Sequence, residues 1–172
     1  MENVSCMENP RGSLRERPYM QEEQLPLGFK RDTVDQCAFG RDYRKTTDVF
    51  NDIEMWEPTG TTGNGRCGGR CKKGEFCKGY YRHFKALAME PCRGPRGPGH
   101  TKEKNALPFG MLEEILLAAI KQTGMDPRGK VIIDLCSGFQ SWLPVARKYG
   151  CTYVAGDVLG NRDLPLFNLF LI

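Results

Sequence analysis

No run of apolar residues in this chain is long enough to cross a bilayer. The C-terminal stretch LPLFNLFLI is apolar but has nine residues, whereas a spanning helix needs about 20. The N-terminal MENVSCMENPRG lacks the apolar core of a secretory signal. No internal repeat is present. Without a secretory context, the eight cysteines are expected as reduced thiols or metal ligands rather than disulfides. These absences predict a soluble intracellular protein, nuclear or cytoplasmic, with no membrane partner.

The 172 residues present suffice for one domain with a core, or one domain plus a small module. Twenty glycines and eleven prolines exceed what a compact fold needs, which predicts long loops. Charge is concentrated. Between Arg66 and Lys104 lie eleven basic and three acidic residues, a local +8, so the rest of the chain carries −4 of the net +4. The segment includes Arg66, Arg70, Lys72 and Lys73, and Phe76, Tyr80, Tyr81 and Phe84 interleave with the basic residues. Such a patch suits a polyanion such as DNA. The plainer reading is a solvated loop.

Three parts follow along the chain. Residues 1–58 are mixed and polar, with strands expected at DTVDQCAF and TTDVFND. Residues 59–104 are rich in Gly, Pro, Cys and basic residues and read as a loop-dominated insert that needs something other than a core to hold it. Residues 105–172 are the most regular. LPFGMLEEILLAAIKQTG spaces Met111, Leu112, Ile115, Leu116, Ala119 and Ile120 helically, with Gly124 suited to the C-cap. KVIIDL reads as a strand, Ser141 to Tyr149 as a helix with Pro144 in its first turn and Gly150 at its end, and CTYVAGD as a second strand.

This βαβ unit has chemistry of its own. In the turn CSGFQ, Gly138 lets a ligand approach the backbone beside a helix N-terminus. Asp157, ending the second strand, is placed to accept from ribose hydroxyls, and Asp134, ending the first, can meet an ammonium group or hold the turn. One glycine and two acids also occur in many α/β proteins that bind no nucleotide.

Four stretches resemble motifs of DNA (cytosine-5)-methyltransferases, especially a viral and phage-like branch. MENPRGSLRERPYM resembles the segment whose Glu-Asn, here Glu8-Asn9, contacts the target cytosine. DQCAFGRDYRKTTDVFND is similar to a strand-turn-strand of the family, with Arg44 and Lys45 at its basic positions. EKNALPFGMLEEILLAA looks like the closing motif, in which Asn105 and Pro108 precede a helix beside the cofactor, and VIIDLCSGFQSW resembles the S-adenosylmethionine-binding motif. The resemblance implies a Rossmann-like α/β fold with an irregular Cys-rich insert. It implies a cofactor site at Asn105, Asp134, Ser137, Gly138 and Asp157, a base-contacting Glu8, and DNA contacts from Arg44, Lys45 and the insert. Cys136 and Gln140 depart from the cofactor motif, where Phe139 or Trp142 could supply aromatic surface.

In the family the cofactor strand comes first and the asparagine-proline helix last. Here that helix precedes the strand, the order of a circular permutant or of a junction between truncated tandem copies. A Pro-Cys nucleophile loop should then follow Asp157, and none does. Pro91-Cys92 lies instead in the insert. The expectation is therefore an incomplete, weakly active or inactive methyltransferase-like chain, needing a second polypeptide or a missing segment to complete it. The alternative is a non-catalytic nucleic-acid-binding protein.

Cys67, Cys71, Cys77 and His83 put four soft or borderline ligands within 17 residues. A zinc ion there would hold a segment with little hydrophobic core. Cys92 or His100 could stand in for His83, and scattered reduced thiols are the other reading. Cys6, Cys37, Cys136 and Cys151 read as small buried residues.

Overall fold

The computed structural model describes residues 3–21, 25–26, 28–77, 80–83, 106–135, 140–156 and 168–171. Its strands are β1 (Ser5–Pro10), β2 (Lys30–Asp35), β3 (Thr46–Asn51), β4 (Gly74–Cys77), β5 (Tyr80–His83), β6 (Val131–Asp134), β7 (Thr152–Ala155) and β8 (Asn168–Leu171). Its α-helices are α1 (Phe109–Thr123) and α2 (Leu143–Tyr149). The class is mixed α/β. Six strands form one sheet in the order β2-β3-β1-β8-β6-β7, and β4 and β5 make a separate hairpin.

The apolar periodicity of α1 does what its spacing predicts. Met111, Leu112, Ile115, Leu116 and Ala119 are buried, forming one stripe. They pack with Val34, Val49 and Ile132 of the sheet and with Trp142, Val145 and Ala146 around α2. Both helices end as expected at a glycine in the left-handed region, Gly124 (φ 65°) and Gly150 (φ 72°), where a side chain would be strained. Pro144 falls in the first turn of α2. A clamp joins the helices: Glu113 Oε1 accepts from Tyr149 Oη at 2.7 Å and from Lys148 Nζ at 2.5 Å.

Across β6 and β7 the pairing is parallel, so residues 131–155 form the expected βαβ unit. β1 is antiparallel to β3 and to β8, and β8 is antiparallel to β6. β1 and β6 therefore run the same way, two places apart.

Three elements differ from expectation. The strand expected over DTVDQCAF stops at Asp35 and gives way to a 3-10 turn, Gln36–Phe39, closed by Gly40 at φ 102°. A tightening of the chain there turns Cys37 and its neighbours off the sheet. The 59–104 segment, read as loop-dominated, contains the hairpin β4–β5. Finally, the polar N-terminal stretch, for which no strand is expected, forms β1, where Glu8 is 3% exposed and Thr47 Oγ1 donates to its Oε1 at 2.8 Å.

Candidate metal centre

Cys67 and Cys71 are brought to one point by a tight turn. Arg70 N donates to Cys67 O at 2.7 Å, and Gly68 and Gly69 take φ of 48° and 75°, conformations that other residues rarely adopt. Their thiols stand 3.4 Å apart. His83, on β5, places Nε2 3.4 Å from Cys67 Sγ and 3.3 Å from Cys71 Sγ. The fourth ligand atom comes from Cys37 on the 3-10 turn, and all four lie within 4.8 Å of one another. Tetrahedral zinc, with Zn–S near 2.3 Å and Zn–N near 2.0 Å, sets its ligand atoms about 3.5–3.8 Å apart. The cluster could hold a metal ion.

Electrostatics favour a cation at this point. Cys37, Cys67 and Cys71 are buried together, packed by Tyr81. Burial pushes the Cys37 thiol far up, and the neighbouring Cys67 and Cys71 add to the rise. Three buried sulfurs cannot all ionise against one another, whereas a divalent ion would hold them as thiolates. Tyr81 supports the arrangement: its hydroxyl donates to Cys71 O and lies 3.3 Å from Cys71 Sγ, and its ring meets His83 edge-on at 5.3 Å.

The cluster is tied to the sheet through Asp35, which is 1% exposed. Its carboxylate accepts from Cys67 N at 2.9 Å and Thr46 Oγ1 at 2.6 Å, and pairs with Arg44 at 3.2 Å and Arg66 at 3.4 Å. Burial alone would raise the Asp35 pKa. The Thr46 and Cys67 bonds and the two guanidinium groups outweigh it, so the carboxyl sits below its usual range. Gly65 adds a second tie. Its carbonyl accepts from Asp35 N at 2.8 Å, its φ is 64°, and a Cβ there would meet Pro58 Cβ at 2.9 Å.

Of the expected ligands Cys67, Cys71 and His83 come together, and among the described residues the third thiol beside them is Cys37, which reads in sequence as an ordinary small buried residue. Cys77 lies on β4 opposite Tyr80, and its side chain is outside the described residues; so are Cys92 and His100.

Around this centre the expected basic residues divide. Arg70 and Lys72 are exposed, and Lys73 pairs with Asp42 at 3.1 Å. Arg44 and Arg66 are engaged with Asp35. Lys45 departs from the expected surface role. Its side chain is 10% exposed and turned toward Glu8 at 4.0 Å. Burial lowers its pKa, with Glu8 opposing and Arg41 reinforcing that shift.

Of the expected cofactor residues, Asp134 ends β6 at 2% exposure and accepts from Tyr153 Oη at 2.9 Å. Asn105, Ser137, Gly138 and Asp157 lie outside the described residues, as does Phe139. Trp142 is fully buried in the core beside α1 rather than offered to a ligand. Comparison with protein-family models, curated proteins and solved structures finds no match.

Proposed function

We propose that this chain is a nucleic-acid-binding protein in which a zinc ion joins a basic segment to an α/β sheet. The observation that carries the reading is the convergence of Cys37, beside β2, with Cys67, Cys71 and His83 of the basic segment. Zinc suits the donor set: three sulfurs and an imidazole are soft or borderline ligands, and four protein ligands close the coordination as in structural sites. Bound there, the ion would be a cross-link and not a reaction centre. Its role is to hold Arg70 and Lys72 in fixed positions on a segment that buries little apolar surface. Fixed cations lose less freedom on meeting phosphates than cations on an unfolded loop.

The test is fluorescence anisotropy of a labelled DNA duplex with the zinc-loaded chain over a salt series. Binding should weaken steeply with salt, and Arg70→Gln with Lys72→Gln together should reduce the log–log slope by about 2, at ~0.9 per lost phosphate contact. Absence of salt-dependent binding by the metal-loaded chain overturns the reading.

A second reading keeps the S-adenosylmethionine-dependent DNA cytosine methyltransferase as the parent, and strand order favours it. In doubly wound sheets strand 1 is flanked by strands 2 and 4, with strand 5 beyond. β7 and β6 fit places 2 and 1, and β1 fits place 5 in direction and position. The intervening place is held by β8, antiparallel to both neighbours. On this reading Asp134 ends β6, on the side where a doubly wound sheet binds its ligand, and Glu8 lies on β1, two strands away across β8. Calorimetric titration of S-adenosylmethionine decides it: saturable binding lost in Asp157→Ala supports the parentage, and no binding by the folded chain removes the enzyme.

A further inference from the structure

The face of β2 and β3 turned away from α1 carries charge beyond the metal centre. Paired residues of neighbouring strands share a face, so Arg31, Thr33 and Asp35 of β2 stand with Phe50, Asp48 and Thr46 of β3. This is the face opposite Val34 and Val49, which belong to the core with α1. The chain after β1 lies over it as two 3-10 turns, Ser13–Glu16 and Pro18–Met20. Arg11 N donates to Thr46 O at 3.0 Å and Arg15 reaches Asp48 at 3.7 Å, which tie the segment to β3, and Gln21 Nε2 donates to Arg15 O at 2.9 Å within it.

Between this segment and β2 is a cleft of about 510 Å³ lined by Arg11, Gly12, Arg15, Glu16, Gln21 and Arg31. Three guanidinium-bearing residues meet one carboxylate there. A guanidinium fork matches phosphate oxygens in pairs and stays charged at any working pH. Gly12 leaves the wall between Arg11 and Arg15 without a side chain.

We propose that this cleft binds a phosphate group. Resting on the nucleic-acid reading, its source is the DNA backbone, along a track that runs from the cleft to the metal centre. Arg31 and Asp35 are four residues apart on the same face of β2, about 13 Å. Between them Arg66 donates to Thr33 O at 3.2 Å, and at the far end Arg44 flanks Asp35.

The experiment uses the zinc-loaded full chain, the double variant Arg11→Gln/Arg31→Gln, and Arg17→Gln as a charge control outside the cleft. Arg15 is left in place because it pairs with the buried Asp48. Circular dichroism confirms that each variant is folded. Two titrations are run: a labelled duplex over a salt series, and a nucleoside monophosphate followed by NMR shifts. Loss of about 2 from the duplex salt slope in the double variant, with Arg17→Gln unchanged, establishes a backbone-phosphate contact. An unchanged duplex slope with monophosphate binding lost in the double variant also supports the phosphate site, and makes its source a free nucleotide. Equal effects from Arg17→Gln, or no effect in either titration, overturn the proposal. If the unmodified chain binds no duplex, the nucleic-acid reading fails by itself and the monophosphate titration alone decides the cleft.

Discussion

Cys6 and Cys37 show how two cysteines that look alike in sequence part company in the fold. Both are nearly inaccessible, at 2% and 1% exposure. Cys6 lies on β1 in the main core, where burial first, then the charges of Asp52, Asp134 and Glu8, push its thiol far up and keep it neutral. Cys37 lies on a 3-10 turn at the end of β2, and meets two thiols and an imidazole. Cys67, Cys71 and His83 were legible because short spacings mark metal ligands. Cys37 was not, because the 30 positions separating it from Cys67 are closed only by the pairing of β2 with β3 and the ties at Asp35. The expected outcome is that Cys37→Ala lowers zinc affinity by more than about a hundredfold, beyond what loss of a supporting contact costs. Cys6→Ala should leave zinc stoichiometry at one while lowering thermal stability modestly. Competition with a chromogenic chelator measures the first, and calorimetric melting the second. Equal zinc affinity in the two variants would remove Cys37 from the site.

At the scale of elements, legibility follows how locally each element is determined. α1 was readable because its buried stripe, its glycine cap and its length are written within 16 consecutive residues. The βαβ unit was readable for the same reason. β1 was missed: SCMENP has no alternation of apolar and polar side chains, since Glu8 is buried by its partners Thr47 and Lys45 rather than by its own character. The hairpin β4–β5 was missed because its segment carries little apolar periodicity. The α1–α2 clamp at Glu113 is likewise invisible in sequence, since it joins residues 35 and 36 positions apart. Hydrogen bonds from Lys148, then from Tyr149, hold the Glu113 carboxyl below its usual range, outweighing the small rise from burial. A depressed folded pKa stabilises the fold at pH above the unfolded carboxylate value, near 4.3, and that contribution disappears as pH falls through the folded value. Glu113→Gln should therefore cost about 0.5–1 kcal/mol at neutral pH, the scale of a half-exposed ion pair. The gap between variant and wild type should close in acid. Urea melts at pH 7 and pH 2.5, with Cys37→Ala as the common background to cancel zinc release, check this; a gap that does not narrow in acid contradicts the clamp.

For the molecule as a whole, the apolar residues sort into two unequal groups. The larger joins the sheet to α1 and α2, while the smaller consists of Cys37, Cys67 and Cys71 with Tyr81. The first can hold itself together by burial. The second has too little area, and without a bound ion the described ties of the basic segment to the rest of the fold are the Asp35 and Gly65 bonds, Arg66 on Thr33 O and the pairing of Lys73 with Asp42. Metal that binds the folded form alone contributes about 4 kcal/mol at a thousandfold excess over its dissociation constant. Whether that energy supports the segment or the entire chain depends on the link at Cys37, whose neighbours Ala38 and Phe39 belong to the larger group. Both residues are anchored in the core that contains α1. Opening is therefore expected to stop at Cys37. On chelation, hydrogen exchange should accelerate by more than a hundredfold at the amides of Cys67, Arg70 and β4–β5, and by less than threefold at those of Leu112 to Ala119 in α1. Exchange rising together in both regions would mean that the ion is a keystone of the whole fold, and that the basic segment and the sheet form one cooperative unit.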